Sequence, residues 1–224
     1  MKPLQVNYVQ ANGDYAILIY FKPHSDQISR LQALAAYIRD QAADGIIEVV
    51  PANGSLLLVF TQNVVINDQL MDAVKHACEQ SLHTNLTPKL HEIPVCYHAE
   101  LAPDLDDVLA HTGLTLDRLI KVHTAPTYVI DFLGFLPGFA YMNGLPERIR
   151  IARKSKPSQN TPAGSVAIAN GQSGIYALNS PGGWHVIGRT PMQLINWQAT
   201  HNIIYQPLDQ IRFKAISYDQ FISW

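Results

Sequence analysis

No excess of positive or negative charge marks this chain. Lysine and arginine total 16 against 18 aspartates and glutamates, a formal net charge of −2. That balance excludes the bulk attraction that draws nucleic acid or an anionic membrane to a basic surface. Extended apolar stretches are absent as well. None approaches the ~20 residues that span a bilayer, and the opening MKPLQVNYVQ lacks the apolar core of a signal peptide. Cysteine is scarce. Cys78 and Cys96 lie far apart, which reads as two reduced thiols of a cytoplasmic protein rather than a disulfide or a metal pair.

The familiar catalytic signatures are absent too. There is no G-x-x-x-x-G-K-[ST] loop to cradle phosphates. AGSVA lacks the second glycine of a G-x-S-x-G nucleophile elbow. Nine histidines are scattered without H-x-x-x-H or H-E-x-x-H spacing, so no metal site is read and no catalytic residue is assigned. These absences argue against a self-sufficient hydrolase and leave open a site completed by a partner chain.

What is present is globular: 47% of residues are hydrophobic, enough for a real core. The first hundred residues alternate strand and helix patterns. DYAILIYF (14–21) is strand-like, and Ile28, Leu31, Leu34, Ala35 and Ile38 follow at helical spacing. IIEVVP and SLLLVF flank Asn53-Gly54, a strong hairpin signal. A second helix follows Asn67, and KLHEIPVCY reads as a further strand. Strand–helix–strand–strand–helix–strand is the ferredoxin-like pattern, so an α+β domain is expected over residues 1–97. Residues 98–124 read as a helical connector. Asp104 and Thr115 are placed to cap two short helices, and Gly113 to end the first. Residues 125–224 hold short β-type runs (TYVIDF, SVAIA, GIYAL, WHVIG, QIRF) between glycine-rich turns, which suggests a β-barrel or sandwich.

Nine of the 13 glycines fall between Gly134 and Gly188, in three segments: GFLPGFAYMNGLP, TPAGSVAIANGQSGIY and SPGGWHVIGRTP. Permissive backbone beside aromatics suits a concave site. Glycines let a ligand approach backbone N–H groups, while Phe135, Phe139, Tyr141, Tyr176 and Trp184 supply walls. The same composition equally serves barrel corners and core. Between the first two segments RIRIARKSK packs five basic residues into 148–156. It is either a solvated loop or an anion site built on arginine's bidentate fork.

Taken together, the three segments resemble the signature blocks of the bacterial 5-oxoprolinase B-subunit family. That family includes the sporulation kinase inhibitor KipI and proteins labelled allophanate hydrolase subunit 1. The resemblance runs over nearly the whole chain. It implies a ferredoxin-like N-terminal domain and a cyclophilin-like β-barrel C-terminal domain. It also implies a role in opening 5-oxoproline to glutamate with ATP, in a stable complex with a 5-oxoprolinase C-subunit homologue and a looser one with an A-subunit homologue. A KipI-like inhibitor of a sensor histidine kinase, or a carboxyltransferase-type component of a urea-carboxylase-like system, are the alternatives.

The ligand residues expected on this basis are the aromatics above with Gly138, Ser165 and Gln172. Gly182 and Gly183 would turn the chain toward the ligand, and Arg153, Lys154 and Arg189 would hold its charge. The chain departs from the family pattern at Pro157-Ser158, where a second arginine is usual. It departs again at Thr161, at Ala177 and at Leu208-Asp209, where glycine usually precedes the aspartate.

Overall fold

The computed structural model describes residues 3–41, 45–80, 86–199 and 202–224. The chain divides into two compact units, Met1–Thr87 and Pro88–Trp224. In the first unit β1 (Val6–Ala11), β2 (Ala16–Phe21), β3 (Ile46–Ala52) and β4 (Ser55–Phe60) form an antiparallel sheet in the order β1-β2-β4-β3. Two helices, α1 (Gln27–Gln41) and α2 (Asp68–Gln80), pack with it. Ile17, Ile19, Leu34 and Leu56 are fully buried at their centre, each worth roughly 1.5–3 kcal/mol of apolar transfer. The Asn53-Gly54 hairpin forms as expected. Both residues take positive φ, 44° and 77°, between β3 and β4, the backbone of a two-residue turn matched to strand twist.

The ferredoxin-like expectation requires β5 (Leu90–Cys96) to close this sheet beside β2. It does not: β1 occupies that edge, and β5 joins the second unit. The division therefore falls before β5 and not after residue 97. Burial explains the choice. Ile93 to Cys96 are buried without interruption, which suits a strand covered on both faces. β1 buries none of its residues fully and suits an edge.

In the second unit β5 closes a seven-stranded barrel with β6 (Tyr128–Leu133), β7 (Ala140–Asn143), β9 (Ser165–Ala169), β10 (Gln172–Ile175), β12 (His185–Arg189) and β13 (Gln210–Ile216). Around the barrel the order is β10-β7-β6-β13-β5-β12-β9, and β9 pairs back to β10. The expected C-terminal barrel is thus present. A separate ribbon pairs β8 (Ser158–Thr161) with β11 (Ser180–Gly182), and α5 (Tyr218–Ile222) follows β13.

The segment expected to be a connector is part of this body. Its helices α3 (Leu105–Thr112) and α4 (Leu116–Thr124) bury Val108 and Leu119 completely in the barrel's hydrophobic core. Gly113 ends α3 at φ 67°, and the Thr115 hydroxyl caps α4 by accepting from Arg118 N at 3.4 Å. Asp104 stands before α3 but makes no side-chain cap.

His123 is wholly enclosed. Its Nδ1 lies 2.8 Å from the Tyr97 hydroxyl and its Nε2 3.3 Å from Ser173 Oγ. Burial lowers its pKa to about 3, so the ring is neutral at ordinary pH. Among the described residues no helix is long and apolar enough to cross a membrane.

Candidate functional site

Along β10 and just beyond it the side chains alternate. Ile175 belongs to the barrel's main core, while Gly174 and Tyr176 serve a second cluster. That cluster gathers Phe139, Ala167, Ala169, Tyr176, Trp184 and Val186, with Tyr141 packed against it. Gly174 makes the arrangement possible. A Cβ there would stand 2.8 Å from Phe139 Cζ and 3.0 Å from Trp184 Cζ3, so the rings lie directly on bare backbone. Phe139 and Tyr141 both meet Trp184 edge-on, with centroids 5.5 and 5.6 Å apart, a favoured aromatic geometry.

This platform floors a cleft of about 540 Å³. Of the residues named from the sequence, Phe135, Phe139, Tyr141, Arg153, Gln172, Tyr176, Gly182, Gly183 and Trp184 line it, together with Leu136, Pro157, Asn170, Ser180 and Pro181. Phe135 is 60% exposed and sits at φ 66°, a left-handed backbone that costs a non-glycine residue of order 1–3 kcal/mol. Arg153 is the sole charged residue of the lining. It is exposed and has no hydrogen bond or ion pair among the described residues. Burial raises the pKa of both Tyr141 and Tyr176, and the Arg153 charge opposes the rise in each. The guanidinium therefore stands close to both phenols.

The glycine pair does not work as a left-handed turn, since neither residue has positive φ. Close approach demands it. A Cβ on Gly182 would lie 2.5 Å from the Tyr176 hydroxyl oxygen and 2.7 Å from Thr161 Oγ1, and one on Gly183 would lie 3.1 Å from Arg153 Nη2. The Trp184 backbone amide, like the Arg153 charge, lowers the Tyr176 pKa against the rise that burial causes. Within the ribbon, Thr161 Oγ1 and Ser180 Oγ are buried without hydrogen-bond partners among the described residues.

Four expected residues lie outside this lining. Gly138, at φ 77°, accepts from the Tyr205 hydroxyl through its carbonyl, and a Cβ there would meet Ala177 at 2.8 Å. Ser165 is buried within β9. Lys154 is committed elsewhere: its Nζ donates to both Asp104 oxygens and, at 2.7 Å, to Ser158 Oγ. Arg189 lines a different cleft, with Ala163, Met192 and Trp197, and its Nε donates to the Ala163 carbonyl at 2.8 Å. β12 runs extended between Trp184 and Arg189. At about 3.3 Å per residue that separates them by roughly 16 Å, too far for one small ligand.

Sequence reasoning also misses Gly174, whose signal is its place between two apolar stretches. Leu208, where the family pattern has glycine, takes φ 75°. The turn keeps its left-handed backbone without the residue that best tolerates it.

A closed barrel beneath an aromatic-floored cleft agrees with a defined class. Residues 7–205 match the family described as carboxyltransferase domain, subdomain C and D. Within that class, the chain belongs to the 5-oxoprolinase B-subunit family. It is 35% identical to the 5-oxoprolinase B subunit of Bacillus subtilis (strain 168), over 96% of this chain and 95% of that one. Identity to the corresponding B subunit of Escherichia coli O157:H7 is 32%, over 90% and 92%.

Among solved structures, TTHA0988 superposes with a TM-score of 0.75 at 28% identity over 93% of this chain, which spans 40% of that longer one. The urea carboxylase of Kluyveromyces lactis superposes with a TM-score of 0.73 at 18% identity. The whole of this chain matches 24% of the carboxylase, a likeness of fold alone.

Proposed function

We propose that this chain is the B subunit of a heteromeric, ATP-dependent 5-oxoprolinase, and that its cleft binds the cyclic amide substrate. One observation carries the reading: Arg153 is the only charge in an aromatic-walled cleft. A small, flat, apolar ring bearing one carboxylate fits that chemistry, with the ring on the Tyr141–Trp184 platform and the carboxylate on the guanidinium. The match to proteins named as the B subunit of 5-oxoprolinase over most of the chain supports the same substrate.

An unstrained amide resists hydrolysis, so coupling to ATP is chemically reasonable: transfer of phosphate to the amide oxygen makes its carbon electrophilic. The cleft lining contains no carboxylate, imidazole or thiol, so its hydroxyls, those of Tyr141, Tyr176 and Ser180, have no base within the lining to activate them. A single guanidinium is poorly matched to a triphosphate. Both features favour ATP handling and proton transfer by partner chains, with this chain orienting the substrate.

The test is to purify the chain alone and with its A-subunit and C-subunit homologues, then measure ATP hydrolysis dependent on 5-oxoproline. Activity is expected only in the complex. Full activity of the isolated chain would overturn the division of labour, and an inactive complete complex would overturn the substrate.

A further inference from the structure

Three neighbouring barrel strands carry a directed row of hydrogen bonds to the rim of the cleft. Asp131 on β6 is 6% exposed. Its Oδ2 accepts from Asn143 Nδ2 on β7 at 3.2 Å. Asn143 Oδ1 in turn accepts from Gln172 Nε2 on β10 at 3.1 Å. The polarity of the row is fixed by chemistry. An ionised carboxylate only accepts, so Asn143 must turn its NH₂ toward Asp131 and its carbonyl toward Gln172. Gln172 must then spend its NH₂ on Asn143. Its Oε1 is left without a partner among the described residues, on a side chain that lines the cleft.

An acceptor left unpaired on a residue that lines an aromatic cleft suits the N–H of a bound ring. Arg153 supplies the charged contact of the same cleft, for an anion. Resting on the substrate reading above, we propose that Gln172 Oε1 accepts the ring N–H of a cyclic amide acid and makes the cleft selective for lactams over lactones. In this arrangement Asn143 and Asp131 are positioning residues. A lactone of the same shape presents an oxygen lone pair to Oε1, which replaces attraction with repulsion and leaves the acceptor unpaired.

The experiment is calorimetric titration of the reconstituted three-subunit complex, without ATP, with 5-oxoproline and with its ring-oxygen analogue, 5-oxotetrahydrofuran-2-carboxylate. The unsubstituted complex is expected to prefer the lactam by at least about tenfold. Gln172→Leu, close in size but without the acceptor, should bring the preference near unity. Asn143→Leu keeps Gln172 but removes what orients it, and should reduce the preference by a smaller factor. Thermal melting of each variant checks folding.

Preference surviving Gln172→Leu, or no lactam binding at all, overturns the proposal. Preference unchanged in Asn143→Leu overturns the positioning role. A complex that binds the lactam through Gln172 but hydrolyses no ATP would defeat the functional reading while leaving this inference standing.

Discussion

Lys154 and Asp104, 50 residues apart in sequence, meet in a two-pronged ion pair with Nζ 2.8 and 2.7 Å from the carboxylate oxygens. Each side chain is close to nine-tenths buried. Asp104 Oδ2 also accepts the backbone N–H of Val186, at 2.8 Å. The pair therefore fastens the start of α3 to β12 and to the basic segment before β8. It also explains why Asp104 caps no helix: its acceptors are already taken.

Breaking this pair should destabilise the second unit. Lys154→Met leaves a buried carboxylate with the Val186 N–H as its remaining partner, a loss of about 3 kcal/mol. Asp104→Leu combined with Lys154→Met should cost clearly less than the sum of the two singles, because neither charge is stranded. Urea unfolding of the three variants checks this, and additive losses would refute the coupling.

Arg153 and Arg189 should behave differently. Arg153→Gln removes an unpaired, exposed cation, so the melting temperature should hardly change while 5-oxoproline binding weakens about tenfold or more. Arg189→Gln loses the bond to the Ala163 carbonyl and should lower stability by about 1 kcal/mol with affinity intact. Titration and melting of both variants decide; affinity lost with Arg189 alone would move the site to the second cleft.

The two adjacent glycines should also separate. Gly182→Ala drives a methyl against the Tyr176 phenol and Thr161, an overpacking cost of about 1–3 kcal/mol. Gly183→Ala meets only the tip of Arg153, which can swing away. It should fold normally and bind the anionic ligand less well. Equal melting temperatures for the two variants would contradict this.

Acid should unfold the barrel unit through His123. Its folded pKa is about 3, while the unfolded chain returns it to about 6.5. The unfolded state thus takes up the proton first as pH falls. The contribution is complete above pH ~6.5 and is lost progressively down to pH ~3, at up to about 1.4 kcal/mol per pH unit. His185, also lowered chiefly by burial, acts in the same direction. Denaturant melts at pH ~5 and ~7, on either side of that ordinary pKa, should show a smaller acid penalty in His123→Gln than in the unsubstituted chain. An identical penalty would assign the acid sensitivity elsewhere.

Local signals are legible in the sequence. Asn53-Gly54, Gly113 and Thr115 each announce a turn or cap through chemistry confined to a few residues, and each forms. The partner of β5 is not legible, because an apolar strand after a helix serves the first sheet or the barrel equally well. Only β13, far downstream, and the rival edge strand β1 decide between them. In the cleft, residue types mark the aromatic floor and Arg153. Lys154 misleads because its carboxylate partner lies outside the basic motif. The role of Gln172 is hidden for a related reason: its orientation is set by Asn143 and Asp131 on two other strands.

The closure of the barrel has a consequence for biosynthesis. β5 runs parallel to β13 from Leu90 beside Gln210 to Cys96 beside Ile216. Lys89 N donates to Asp209 Oδ1 across 120 residues of chain. On a ribosome adding about 5–20 residues per second, β5 emerges roughly 6–24 s before the strand that covers it. During that interval Ile93, Val95 and Cys96 have no β13 to pack beside, so a trigger for aggregation is present in every nascent copy. Chaperone binding that shelters this one strand, or faster elongation through the residues between β5 and β13, should raise the yield of folded protein more than equal protection given to the first unit, whose strands pair with neighbours made moments earlier.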